Sequence, residues 1–202
     1  MRTVSPVLAV SARSPVRLPA RPLKTTQSAR SSLAAPRSKS WWPFWDDVNV
    51  KVMGYLRCAR EVAPYMKAQG WGRIINISGT NARNAGNLSG GARNTSLVHL
   101  SKTLAVQLGR FGITVNCVHP GITRTERTPR LLAARGKELG IDAADVEKAD
   151  FAHDSPRGNA IGRMVDAAEI AYVTAFLASD KAWAISGELI VATGGAGRSV
   201  YY

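Results

Sequence analysis

The sequence predicts an α/β fold: a doubly wound parallel sheet with helices on both faces. Three observations carry that expectation. Apolar residues recur at helical spacing in three separate segments, each segment is followed by a short β-branched run, and the first run is nearly continuously apolar. A strand apolar on both faces belongs in a sheet covered on each side. Helix-then-strand order repeated three times implies right-handed crossovers between parallel strands.

Each element can be placed from its residues. Val52, Tyr55, Leu56, Ala59, Val62, Ala63 and Met66 form one helical stripe that closes near Gly70, and the run from Arg73 to Ser78 follows as a strand. From Ala92 to Gly109, Leu97, Leu100, Leu104 and Leu108 form a second stripe, widened by Val98 and Ala105. Gly109 and Gly112 end it. Ile113 to Val118 is β-branched and of strand length, and Pro120 stops it because proline has no N–H for a ladder. Leu131 to Arg135 reads as a short helix, and Asp142 to Asp154 as a polar, acidic stretch. A third unit runs from Asp166 to Ala178, with Ile170, Val173, Phe176 and Leu177 inward, and closes with the strand Leu189 to Val191 ahead of Gly194 and Gly195.

Composition narrows the function. Residues 1–42 hold eight basic residues and no acidic one, with many Ser, Pro and Ala, so of the net charge of +13 only +5 belongs to the rest. We expect a disordered basic segment there and an ordered domain over 43–202. Nothing approaches the length of a membrane span, and the basic segment lacks aromatic residues before Trp41, which argues against specific nucleic-acid binding. Cys58 and Cys117 have neither a disulfide framework nor metal-ligand spacing and read as small buried apolar residues. His99 and His119 likewise lack the partners of a metal or nucleophile site, so no metal is expected. Tyr55, Tyr65 and Tyr172 sit on helices, where core packing is the expected role.

The segment from Val62 to Lys67, the strand Gly72 to Ser78, Gly112 to Asn116 running into His119-Pro120-Gly121, Gly162-Arg163, and Phe176 to Asp180 leading to Ser186-Gly187 together resemble the short-chain dehydrogenases/reductases. The resemblance runs from about Asp46 to Gly195. It implies the C-terminal part of a Rossmann-like domain, a NAD or NADP cofactor, and a small carbonyl or alcohol substrate. It also implies a catalytic set that is altered here. Aligned on Leu100 to Ala105, the family's Tyr falls on Gly90 and its Lys on Asn94, while the strand-end serine falls on Ser78 or on the position of Gly79. The supporting Asn of the preceding helix falls on Lys51, with Asn49 two residues away. Members of the family use the Tyr hydroxyl to exchange a proton and the Lys to lower its pKa and hold the ribose. Glycine offers no proton and Asn no charge, and general acid–base help is worth about a hundred- to ten-thousand-fold. Activity by the usual route is therefore expected to be impaired.

A substitute hydroxyl is sought in Ser78 or Ser89, although Ser89 also reads as the N-cap of the following helix. Asn94 reads equally as a ribose hydrogen-bonder and as an ordinary first-turn residue. No tyrosine has a lysine four residues later. For the cofactor, the resemblance assigns Ile77, Pro120, Gly121, Ile122, Thr123 and Thr125 to the nicotinamide end. The Gly-rich turn that would hold the pyrophosphate has no counterpart in the sequence. Residues Pro129 to Pro156 match the mobile substrate lid.

Residues 1–42 then have three readings: an organellar transit peptide, a basic arm for an anionic surface, or an out-of-frame stretch of a GC-rich gene. The third is favoured by the missing Gly-rich turn. A cytoplasmic location is the expectation, an organelle if the segment is a transit peptide. Without the family's front half, the strand from Ile74 to Ser78 becomes an exposed apolar edge prone to association. The helices Val50 to Lys67 and Ala92 to Gly109 are expected to pair with a second copy or another family member. That pairing leaves a non-catalytic oligomerisation remnant as the alternative to an oxidoreductase.

Overall fold

The computed structural model describes residues 7–10 and 42–197. Expectations for the remainder of 1–41 and for 198–202 lie outside the described residues. The four-stranded sheet is parallel throughout, in the order β1 (Val7–Val10), β2 (Gly72–Ile77), β3 (Ile113–Pro120) and β6 (Leu189–Ala192). A second, two-stranded ladder joins β4 (Thr123–Arg124) to β5 (Val165–Asp166). The helices are α1 (Trp42–Asp47), α2 (Met53–Gln69), α3 (Leu88–Leu108), α4 (Thr128–Leu139), α5 (Ala143–Asp150) and α6 (Ala167–Ala178).

Helices cover both faces, as the apolar strands require. On one face Ala59 and Met66 of α2 and Ala105 and Leu108 of α3 pack on Ile74, Ile113 and Val115. On the other, Leu177 of α6 and Ala182 pack on Ile75 and Val118. Alternate residues of β2 and β3 thus serve opposite layers, and the expected doubly wound arrangement is present. The α3–β3 turn brings Gly112 so close to the preceding unit that a Cβ would run into the Gly70 carbonyl oxygen. Its φ of 75° also suits glycine.

Several expectations change. Within the basic segment, Val7–Val10 is a strand, paired in register from Val7 opposite Arg73 to Val10 opposite Asn76. The β2 edge expected to be bare is therefore covered over those residues. Helix α3 begins at Leu88 because Asn87, and not Ser89, is its N-cap: the Asn87 side chain accepts from the Gly90 N–H at 2.7 Å. Its buried face follows Gly90, Asn94, Leu97, Ser101, Ala105 and Leu108, so Ser101 replaces Leu100 at the centre of the stripe. Ser101 is accommodated by donating to the Leu97 carbonyl and accepting from Asn76 Nδ2. Phe176 is 47% exposed, and Tyr65 and Tyr172 point outward, while Tyr55 is buried as expected. Cys58 is half-buried, Cys117 fully buried. Strand β3 continues through Pro120, since a last residue needs no N–H of its own when the next one, Gly121, donates to the Ala192 carbonyl at 3.0 Å. Among the described residues no helix is long and apolar enough to cross a membrane.

Candidate active site

The carboxyl ends of β2 and β3 are where ligands bind in open α/β sheets. The residues there are brought in by three elements. Between α1 and α2 the helix widens over Val48–Val52 into a π-type turn, a feature common at functional sites. It turns Lys51 inward, leaving it 9% exposed. The Lys51 ammonium donates to Asn94 Oδ1 at 2.7 Å and to the Ser78 carbonyl at 3.1 Å. Burial first, and the Arg93 charge second, push the Lys51 amine from 10.5 down to about 8. Asn94 is itself 4% exposed, and its carbonyl accepts from Ser78 Oγ at 3.1 Å. Lys51, Ser78 and Asn94 therefore form one hydrogen-bonded unit. Asn94 is buried, beyond the first turn of a helix that starts at Leu88.

The other candidates separate from this unit. At Gly90 a Cβ would meet Asn81 Nδ2 at 2.8 Å and Asn87 Oδ1 at 2.9 Å, so two amides occupy the space a side chain would need. Ser89 donates to Asp47 Oδ2 at 2.6 Å, and Arg93 binds the other oxygen of Asp47 at 2.5 Å. The Ser89 hydroxyl is committed to a carboxylate and is not a free proton donor. Asn49 accepts from Arg57 at 2.9 Å on the exposed side of the helix, which leaves Lys51 as the residue facing Ser78.

Reading the sequence for a tyrosine followed by a lysine missed the reverse order. Tyr55 follows Lys51 by four residues, one turn along the same helix face. It is 2% exposed and donates to the Ile77 carbonyl at 3.1 Å, with burial raising its phenol pKa. Tyr55 and Lys51 thus hold the carbonyls of adjacent residues, Ile77 and Ser78. The signal was present as Lys51-x-x-x-Tyr55. His119, read from the sequence as lacking the partners of a metal or nucleophile site, is fully buried, and neither ring nitrogen has a hydrogen-bond partner. Burial, then the Arg83 and Lys51 charges, push its imidazole down to about 4.

The loop assigned to the nicotinamide end is built tightly. A Cβ at Gly121 would meet Thr193 Cα at 2.9 Å, so glycine is needed where β3 and β6 converge. Thr123 Oγ1 donates to the Gly121 carbonyl at 2.9 Å, and the Ile122 carbonyl accepts from the Val165 N–H at 3.0 Å. Thr125 turns toward α4, its N–H donating to Thr128 Oγ1 at 2.8 Å, and helps line an apolar pocket of about 380 Å³ with Pro129, Leu132 and Ala143. Lys51, Asn94, Ile77 and the Pro120–Ile122 backbone suit the nicotinamide ribose end of a dinucleotide. For the pyrophosphate end the sequence offers no Gly-rich turn, so the fit is partial.

A family model described as enoyl-(acyl carrier protein) reductase matches residues 37–197. The chain belongs to the short-chain dehydrogenase/reductase family. Among curated relatives, short-chain reductase protein NovJ of Streptomyces niveus is 33% identical over 153 residues, covering 75% of this chain and 55% of the relative. NADPH-dependent reductase BacG of Bacillus subtilis is 32% identical over 152 residues, covering 74% and 57%. The structure of sorbitol-6-phosphate 2-dehydrogenase SrlD from Erwinia amylovora superposes with a TM-score of 0.69 at 29% identity, covering 85% of this chain and 67% of that one. The chain therefore spans little more than half the length of the curated relatives it matches.

Proposed function

We propose that this chain acts as an NAD(P)-linked oxidoreductase on a small carbonyl or alcohol, with Lys51 carrying the proton that the family's tyrosine ordinarily carries. The observation behind this reading is the position of Lys51 Nζ, 2.7 Å from Asn94 Oδ1 and 3.1 Å from the Ser78 carbonyl. An ammonium has three N–H donors. Two are fixed by these acceptors, and the third is left for a substrate oxygen. An acid titrating near 8 is well matched to proton transfer at working pH. The bound nucleotide would supply or accept hydride at the substrate carbon. In the reducing direction the Lys51 ammonium gives its proton to the developing alkoxide, remains as a neutral amine, and is reprotonated from water. Ser78 and Asn94 hold the amine in place, and Tyr55 positions the strand end through the Ile77 carbonyl.

The experiment is NADPH or NADH oxidation with a panel of small ketones and aldehydes, comparing the native chain with Lys51→Met. A measurable rate that falls by about a hundredfold or more supports the reading. An unchanged rate in the variant refutes it.

A second reading is a non-catalytic oligomerisation element. It is supported by Tyr65 on α2 and Val106 on α3, which are 70% and 76% exposed on the outward faces of the two long helices. Calorimetry that detects no heat with either nucleotide, together with capture of an intact family homologue, would favour it. A clean monomer that binds nucleotide would dismiss it.

A further inference from the structure

Among the described residues Lys51 is the only buried lysine. A lysine taken out of water is ordinarily paired with a carboxylate. Lys51 instead faces two neutral oxygens, Asn94 Oδ1 at 2.7 Å and the Ser78 carbonyl at 3.1 Å. Asp47, the carboxylate whose charge reaches the amine, is held by Arg93 and by the Ser89 hydroxyl. An ammonium has three N–H bonds to place, whereas a neutral amine has two and a lone pair. Two acceptors therefore satisfy the neutral amine in full and the ammonium only in part.

The groups around the amine favour the same form. Burial and the charge of Arg93, which precedes Asn94 on α3, bring Lys51 down to about 8. Cys117 of β3 stays a neutral thiol, pushed up by burial to about 11, and burial likewise keeps the Tyr55 phenol protonated. Neither brings a negative charge that would hold an ammonium. A desolvated lysine beside a second cation is the setting in which the amine acts as a nucleophile toward carbonyl carbon.

We propose that Lys51 condenses with small aldehydes and ketones to form an iminium on its own side chain, a carbonyl-capturing activity that needs neither nucleotide nor hydride. It shares with the proposed function only the placement of Lys51 at the substrate carbonyl. With both N–H bonds of the neutral amine directed to Asn94 Oδ1 and the Ser78 carbonyl, the lone pair points along the remaining tetrahedral direction. It attacks the carbonyl carbon, a C–N bond forms, and the π pair moves to oxygen. That oxygen gains a proton while the nitrogen loses one to water, which gives a carbinolamine. The nitrogen lone pair then expels the oxygen, which leaves as water after taking a second proton from solvent. The iminium keeps one N–H for Asn94 Oδ1, the nearer acceptor, and releases the Ser78 carbonyl. Addition of water runs the sequence backward and returns carbonyl compound and amine. Lys51 is 9% exposed, so the opening suits small, unbranched carbonyl compounds.

Incubating the intact chain with acetaldehyde and sodium cyanoborohydride, which reduces an iminium to a stable secondary amine, tests this; alkylated lysines are mapped by peptide mass spectrometry. At pH 8 an amine titrating near 8 is roughly half neutral, against roughly one part in 250 for an unperturbed lysine. Lys51 should be alkylated at least about tenfold faster than the exposed Lys102 and Lys148, and its rate should level off above about pH 8. Asn94→Asp sets a carboxylate of the same shape against the ammonium and should slow alkylation at Lys51 by at least about tenfold in a chain that still melts cooperatively. Alkylation of Lys51 no faster than of Lys102, a rate that climbs to pH 10 without levelling, or an undiminished rate in Asn94→Asp would each overturn the proposal. Trapping at Lys51 with no nucleotide oxidation would sustain it and refute the oxidoreductase reading. Nucleotide oxidation that depends on Lys51, with no trapping there, would do the reverse.

Discussion

Replacing Lys51 by methionine should change how stability depends on pH. In the unfolded chain the amine titrates at 10.5, and in the folded chain at about 8. A base whose folded pKa is depressed binds fewer protons when folded, so stability rises as pH climbs through the window between about 8 and 10.5. Below that window the buried ammonium costs roughly 3 kcal/mol, from 1.36 kcal/mol per tenfold change in acidity. Between pH 7 and pH 9 the linkage returns roughly 1 kcal/mol, worth about 2–4 °C in Tm for a domain of this size. Cys117 opposes this from pH 9 upward, because burial raises its thiol from 9.0 to about 11 and the unfolded chain loses that proton first. Tyr55 acts in the same sense at still higher pH. Both are present in the variant, so the difference between the two chains isolates Lys51. The assay is urea denaturation followed by tryptophan fluorescence at pH 7, 8 and 9. The native chain should gain on Lys51→Met by about 1 kcal/mol across the series. A constant difference would show that Lys51 titrates normally and would remove the basis for its role.

Other perturbations have equally definite signs. Asn116 is fully buried, donating to the Ile185 carbonyl at 2.7 Å and accepting from the Glu188 N–H at 3.1 Å. Asn116→Ala should cost about 2–4 kcal/mol by stranding both partners, measured by denaturant titration. Gly112→Ala should cost at least about 2 kcal/mol, or prevent folding, from its positive φ and the Gly70 carbonyl; a loss under 0.5 kcal/mol by the same titration would contradict it. Removing residues 1–10 uncovers the β2 edge and should raise the apparent mass in light scattering, whereas an unchanged monomer would count against β1 as an edge cover.

How much was legible in the sequence follows from what burial writes into it. The stripe of α2 and the β-branched runs of β2 and β3 were readable because period and burial coincide there. Phe176 was misplaced because α6 is apolar almost all round, and such a helix does not declare its inward face. The start of α3 lies in a run of small polar residues, where any of several side chains suits a cap, and Asn87 was chosen over Ser89 by geometry alone. The strand Val7–Val10 pairs with a segment more than sixty residues away, and nothing local announces such a partner. At the site, Ser78 and Asn94 were found by position, but the meaning of Asn94 depends on Lys51, 43 residues distant. Only the fold brings the two together.

The central claim is that a buried amine between Asn94 and Ser78 titrates near working pH. Heteronuclear NMR of the lysine side chains from pH 6 to pH 11, with Lys51→Met to assign the signal, measures it directly. The account predicts one lysine titrating near 8, a resonance absent from the variant. A Lys51 signal that titrates with the rest would contradict it.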